Sequence, residues 1–445
     1  MYPKLTDQPD ATATIAAIAA GNLTPTDACE AAIARIEAHD GAINAVVIRD
    51  FDRARAAAAD LTAKGPQPGQ RLYGLPMTVK ESFDVAGLPT SWGIADHAGN
   101  VATRDAVVVS RLKAAGAVIL GKTNVPPFLA DWQADNPIHG RTNNPHDASR
   151  SPGGSSGGAA AALASGMVAA EYGSDIGGSI RIPAHFSGVW GHKPTWGVVS
   201  PKGQEMPGTD GADTALAVVG PLARSAEDLA LLLEVTLDVA LPLSAKPLAQ
   251  ARFLYLDRHP LCPVDNAMRG ALDGAAAAIE AAGARVDRSS PHTPDLAAHF
   301  PPYLKMMQIA LFRGAPGPQG QVATAAQWFD LLDAQHHAKR AWAALFAHYD
   351  FVLMAPAAIP AFAHDERGVE ARIWDVAGEP HGAAEAVLAY AGAVTFPELP
   401  ATCLPVGSAQ GLDAHLPVGM QVIGPARADR DCIAMAGQIG RLLHS

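Results

Sequence analysis

The sequence predicts an α/β protein with a largely parallel or mixed sheet, and three observations lead there. Helical patterns alternate with short β-branched or apolar runs, as in VVVSRLKAAGAVILGKTN at 107–124. The 445 residues are 49% hydrophobic and only 17% charged, a composition that buries a large core and is far from disorder. No internal repeat, low-complexity linker or charge block divides the chain, so one domain over 1–445 is the economical expectation.

Taken in order, DATATIAAIAA at 10–20 reads as a helix stopped by Gly21. Thr24 reads as the N-cap of the next helix, with Pro25 at its first position and Ala28, Ala32, Ile33 and Ile36 forming an apolar face. INAVVI at 43–48 is a strand pattern, and DRARAAAADLTAKG at 52–65 a helix running into a Gly-Pro loop. LYGLPMTVK at 72–80 contains a short strand-like run that ends on Lys80. The 107–124 segment gives helix, glycine turn and then the strand AVIL, and 127–150 is loop-rich. GGAAAALASG at 157–166 is a compact helix of good formers ending at Gly166. GVWGHKPTWGVVSPKG at 188–203 carries two tryptophans among turn residues. In the second half, RFLYL at 252–256, FVLMAP at 351–356 and LPVGMQVIG at 416–424 are strand patterns. NAMRGALDGAAAAIEAAG at 266–283, the stretch 322–348 and DRDCIAMAGQIGRLLHS at 429–445 are helical.

Composition also excludes. A formal charge of −11 disfavours nucleic acid or an anionic membrane as the main partner, because both are polyanions. Cys29, Cys262, Cys403 and Cys432 are scattered with no CxxC spacing, which speaks against a metal cluster or a disulfide framework and for reduced thiols in a cytoplasmic protein. No apolar run reaches the roughly 18 residues of a membrane span, and MYPKLTDQPD has no basic n-region ahead of an apolar core. Two motifs mislead. GAVILGKT at 116–123 fits GxxxxGK[ST], yet its middle residues are those of a buried strand and not of a phosphate-binding loop. GGSSG at 153–157 fits GxSxG, yet the RTNNPHDASRSP before it is no strand, as a nucleophile elbow requires.

The chemistry gathers at 150–184, RSPGGSSGGAAAALASGMVAAEYGSDIGGSIRIPA, where two serine-bearing glycine clusters flank an Ala-rich helix. Ile176, Gly177 and Gly178 precede Ser179, and successive N–H groups there can converge beside its hydroxyl as a nest for an oxyanion. Asp175 and Arg181 read as an internal ion pair holding that loop. Lys80 follows the apolar run LPMTV. Burial disfavours its charged form, and a neutral amine is a competent general base. Adjacent Glu81 reads as a salt-bridge or turn residue. Ser155 offers a relay from Lys80 to Ser179, while sixteen histidines, among them His185 and His192, leave a Ser-His pairing open.

The segments GLPMTVKESFDVAGLPT, GAVILGKTNVPPF, GRTNNPHDASRSPGGSSGG and GSDIGGSIRIPAHFSGVWGHKPTWGVVS, with FVLMAPAAIP, LPATCLPVG and LPVGMQVIGP further on, resemble the amidase signature family over nearly the whole chain. The resemblance implies a large twisted mixed β-sheet covered by helices on both faces, with a catalytic core at about 70–200. It implies a Ser–cis-Ser–Lys triad: Lys80 as base, Ser155 as bridge after a cis Gly154–Ser155 bond, and Ser179 as nucleophile. Ile176, Gly177, Gly178 and Ser179 then form the oxyanion hole, supported by Gly154, Ser156, Asp175 and Arg181. No cofactor and no metal are implied. The expected reaction is hydrolysis of a small-molecule carboxamide through an acyl-enzyme, by a monomer or homodimer. Carbamates, anilides and esters lie within the same chemistry, and a glutaminase subunit of a tRNA-dependent amidotransferase is the alternative of a different class. The chain departs from the family at Glu81, where Asp is commoner, and at TFPELP (395–400), which lacks the usual Asn and Gly. Residues 297–345, expected to help roof the pocket, match no family segment; Trp132, Phe128, Met306, Met307 and Phe312 suggest an apolar or aromatic substrate group.

Overall fold

A computed structural model describes residues 7–209, 211–316 and 322–444. The chain opens with α1 (Ala11–Ala19), α2 (Pro25–Ile43), β1 (Val46–Arg49), α3 (Phe51–Lys64), β2 (Pro76–Lys80), α4 (Val107–Ala114) and β3 (Val118–Thr123). The predicted cap of α2 is present as a capping box, in which the Thr24 hydroxyl accepts from the Asp27 N–H and Asp27 answers to the Thr24 N–H. Strand β3 contains the GKT of the phosphate-loop pattern and is buried throughout, so that segment is sheet and not a phosphate cradle.

Short strands β4 (Asp135–Asn136) and β5 (Gly140–Arg141) lead to α5 (Gly157–Ala164), β6 (Ala170–Asp175), α6 (Arg181–Ser187), β7 (Trp190–Lys193), β8 (Val218–Ala223) and α7 (Ala226–Glu234). The second half adds β9 (Arg252–Leu256), α8 (Asn266–Ala281), β10 (Arg285–Asp287), α9 (Leu296–Phe312), α10 (Ala325–Phe346) and β11 (Phe351–Met354). A hairpin of β12 (Ile373–Val376) and β13 (Glu379–Gly382) follows, then α11 (Ala389–Thr395), β14 (Ala401–Ser408), β15 (Pro417–Ile423) and α12 (Asp429–His444).

The main sheet is eight-stranded, in the order β10-β9-β11-β15-β14-β7-β8-β6. It is mixed: β10, β9 and β11 run parallel, and every pairing from β11 to β6 is antiparallel. Successive strand residues face opposite ways, and β14 shows what covers each side. Cys403 lies beside His185 of α6, both near the position a Gly419 Cβ would take, whereas Leu404 reaches toward Gly440 of α12. Helices therefore cover both faces. A second sheet, β1-β3-β2, brings β2 against β6 and so carries the end of β2 toward the serine loops.

Elements β6, β7, β8, α6 and α9 had no clear signal in the sequence. Strand β6, AEYGSD, is built of residues that disfavour strands; six-residue pairing with β8 holds it nonetheless. Strands β7 and β8 and the short helix α6 carry internal Gly or Pro that masks their period. Helix α9 contains Pro301 and Pro302.

Helix α5 is entirely buried and joins the two serine loops, and its first turn lies hard against β3. A Cβ on Gly158 would stand 2.3 Å from the Asn124 nitrogen and 2.9 Å from the Ala45 oxygen. Backbone cannot give way as a side-chain tip can. Gly158→Ala is expected to lose about 3 kcal/mol of stability by urea denaturation, whereas Gly197→Ala, with nothing within 4 Å, should lose only what its φ of +79° costs an alanine.

Candidate active site

Lys80 ends β2, where every side chain is buried, and its own exposure is 0%. The amine sits 2.6 Å from Ser155 Oγ and 2.9 Å from Ser174 Oγ, and no carboxylate of the described residues forms an ion pair with it. Burial drives the amine down to about 7, against the upward pull of Asp175, Glu81 and Glu171. Ser174 is held in turn by Gln204, whose Nε2 donates to the same hydroxyl at 3.2 Å. Neither Ser174 nor Gln204 was legible as a site residue, because β6 and the 200–209 loop meet Lys80 only in three dimensions.

Ser155 follows a cis Gly154–Ser155 bond. Only glycine fits at 154, since a Cβ there would lie 2.4 Å from the Asp131 oxygen. The Ser156 N–H donates to the Ser179 oxygen at 3.2 Å and its hydroxyl to the Ser174 oxygen at 3.4 Å, tying one serine loop to the other. Ser155, Ser174 and Ser179 line one narrow cavity of about 60 Å³.

The loop before Ser179 is set by its carbonyls. Tyr303 Oη donates to the Ile176 oxygen at 2.8 Å and Trp132 Nε1 to the Gly177 oxygen at 3.0 Å. In a planar trans peptide the next N–H points the opposite way, so these bonds aim the N–H groups of Gly177 and Gly178. That of Gly178 is spent, however: it donates to Asp175 Oδ1 at 3.0 Å. Of the four residues expected to supply an oxyanion hole, Ile176, Gly177 and Ser179 keep N–H groups without a partner among the described residues, and Gly178 serves the loop's internal geometry.

Asp175 and Arg181 are both fully buried and joined through two contacts, Nε at 3.0 Å and an Nη at 2.9 Å. Burial alone would raise the Asp175 carboxyl, but the Arg181 guanidinium holds it at about 2. Arg181 also reaches Thr395 Oγ1 at 2.9 Å and Gln421 Oε1 at 3.2 Å, linking the loop to helix α11 and strand β15.

Glu81 acts as a clamp on the turn, and no salt bridge engages it among the described residues. Its carboxylate accepts from Ser91 N at 2.6 Å, Ser91 Oγ at 2.8 Å and Trp92 N at 3.0 Å. This fixes a cavity wall in an unusual backbone: Trp92, Phe128 and Leu129 have φ of 55°, 58° and 56°. Of the apolar residues singled out in the sequence, Phe128 lines the cavity, while Trp132 and Met306 are buried and do not line it. Met307 packs near Gly177, and Phe312 is 63% exposed with its neighbour Leu311 lining instead. The turn at TFPELP places Glu398 at φ 61° and holds it through Lys339 at 2.6 Å and Gln335 at 3.2 Å.

Neither His185 nor His192 forms a Ser-His pair with Ser179. His185 Nε2 faces the Ile359 oxygen at 3.1 Å and its Nδ1 accepts from Gly419 N, while His192 is held between Thr402 and Asp429. All four cysteines are free and buried. Among the described residues no helix is long and apolar enough to cross a membrane.

Against known proteins, a family profile described as Amidase matches residues 27–314 and 319–433. The chain belongs to the amidase family. It is 44% identical over 227 residues to the putative amidase AmiB2 of Mycobacterium tuberculosis, covering 51% of this chain and 48% of that protein. It is 46% identical over 220 residues to a glutamyl-tRNA(Gln) amidotransferase subunit of Anaeromyxobacter dehalogenans, 49% of this chain and 44% of that one. The amidase-family chain thus spans about half the length of the curated relatives it matches. A solved structure superposes along nearly the whole length: the inhibitor-bound form of a vestigial protein complex described as revealing the origins of an s-triazine catabolic enzyme. Its TM-score is 0.82 at 30% identity, with 97% of this chain and 98% of that chain covered. The fold is that of the amidase signature enzymes.

The Asp175–Arg181 pair generates a stability prediction. Asp175→Asn strands a buried guanidinium, and denaturation should show a loss of about 3–5 kcal/mol. The exposed pair Lys64–Asp60 supplies the control, where Asp60→Asn should change stability by less than about 1 kcal/mol.

Proposed function

We propose that this protein hydrolyses carboxamide bonds of small molecules through an acyl-enzyme on Ser179, with Ser155 as proton relay and Lys80 as general base. The observation that carries the reading is the 2.6 Å contact between a fully buried, unpaired Lys80 amine and Ser155, in a cavity that Ser179 also lines. A neutral amine takes the Ser155 proton as Ser155 takes that of Ser179, and the Ser179 oxygen attacks the carbonyl. Negative charge on the tetrahedral oxygen is met by the free N–H groups of Ile176, Gly177 and Ser179, each donor being worth about 3 kcal/mol of barrier. The relay then runs backward to protonate the departing amine, and water repeats the sequence on the acyl group. Esters, carbamates and anilides present the same carbonyl and fall within the same chemistry. The likeness to an amidotransferase subunit favours a second reading, in which the triad releases ammonia from glutamine for a partner chain. A small-molecule substrate acted on by a stand-alone cytoplasmic monomer or homodimer is the reading preferred here.

The base works only when deprotonated, so the sign of the pH dependence is set. With Lys80 near 7, kcat/KM should be flat above that pH and fall about tenfold per unit below it. Lys80→Ala should lose roughly 10²–10⁴ in rate and the acid limb with it. Ser179→Ala should lose both turnover and labelling by a fluorophosphonate probe; amide hydrolysis at the parent rate by purified Ser179→Ala would refute the assignment.

A further inference from the structure

The cavity that holds Ser179 has walls of two kinds. Trp92, Phe128, Leu129 and Leu311 make it apolar, and the left-handed backbone of the first three fixes their placement. Glu205 and Asp213 bring carboxylates to the same space. Asp175, the other acidic lining residue, is neutralised by Arg181, but neither Glu205 nor Asp213 forms an ion pair among the described residues. One Glu205 oxygen accepts from the Gly203 N–H at 2.6 Å, which orients the carboxylate and leaves its other oxygen available. Among the described residues no arginine or lysine lines this cavity, and the Lys80 amine lies behind Ser155, bonded to its hydroxyl.

A substrate carboxylate entering here would leave water, find no cation, and meet two like charges on a chain whose formal net charge is already −11. An ammonium would find acceptors at Glu205 and Asp213 and aromatic faces at Trp92 and Phe128. An uncharged apolar group would meet no penalty. We infer that the pocket selects amides whose non-reacting part is apolar and either neutral or cationic, and that Glu205 and Asp213 turn away amides bearing a carboxylate. This rests on the amide-hydrolase reading above and adds to it the charge class of the substrate. It also counts against glutamine, whose α-carboxylate has no partner here.

The test uses three amides of one shape: 3-phenylpropanamide, its para-aminomethyl derivative and its para-carboxy derivative, with ammonia release measured on the 445-residue chain at pH 8. The neutral and cationic amides should turn over with kcat/KM roughly 100-fold above that of the carboxylate. In the double variant Glu205→Gln, Asp213→Asn that ratio should fall to under about tenfold. Equal rates for the three amides, a preference for the carboxylate, or a ratio that the double variant leaves unchanged would each overturn the charge selection while the hydrolase reading stands. No ammonia from any of the three would count against the hydrolase reading itself, and the inference would fall with it.

Discussion

A lysine amine removed from water keeps its proton only where an anion compensates it, and at Lys80 the compensation is incomplete. Its near neighbours are the hydroxyls of Ser155 and Ser174, while Asp175, Glu81 and Glu171 act from further away. The consequence is an amine poised near neutrality in place of a permanent ammonium. Much of the surrounding structure serves that condition. Strand β2 is buried along its whole length, the second sheet delivers its end to β6, and Gln204 fixes the second hydroxyl. Glu171, buried nearby, has its own carboxyl pushed up to about 8 by burial, against a Thr78 hydroxyl that donates to it at 2.5 Å.

Other buried cations show that burial is necessary and not sufficient. Lys122 and Lys193 are also depressed by burial, each to about 8, yet they donate to the backbone oxygens of Pro89 and Pro194 and reach no serine of the cavity. Arg181 lies within the same loop region as Ser179 but is locked to Asp175 on two sides. Its charge is spent on structure. Partner chemistry thus separates the four groups: the Lys80 amine meets serine hydroxyls of the cavity, Lys122 and Lys193 are anchored on backbone carbonyls, and Arg181 is braced by a carboxylate.

The sequence made visible what is local. The Thr24 cap, the end of β2 at Lys80, the helix α5 between glycines and the strand RFLYL depend on neighbouring residues and were placed close to where they stand. The catalytic candidates were legible because glycine clusters and linear motifs resembling a family mark them. What was hidden is non-local. Strand β6 exists because β8 pairs with it, and Pro301 and Pro302 obscure α9, from which Tyr303 orients the Ile176 carbonyl. Gly178 looked like an oxyanion donor in a Gly-Gly-Ser run, yet the Asp175 carboxylate three residues earlier takes its N–H. Glu205 and Asp213 belong to no motif, and only the folded loop brings them into the cavity of Ser179.

The protonation state of Lys80 can be read without any substrate. Protein carrying ¹³C-labelled lysine, with the Lys80 resonance assigned by its loss in Lys80→Ala, would be titrated and the Cε shift followed. A midpoint near about 7 is the outcome this account predicts. A Lys80 that stays an ammonium to about pH 10, as a solvated lysine does, would contradict it.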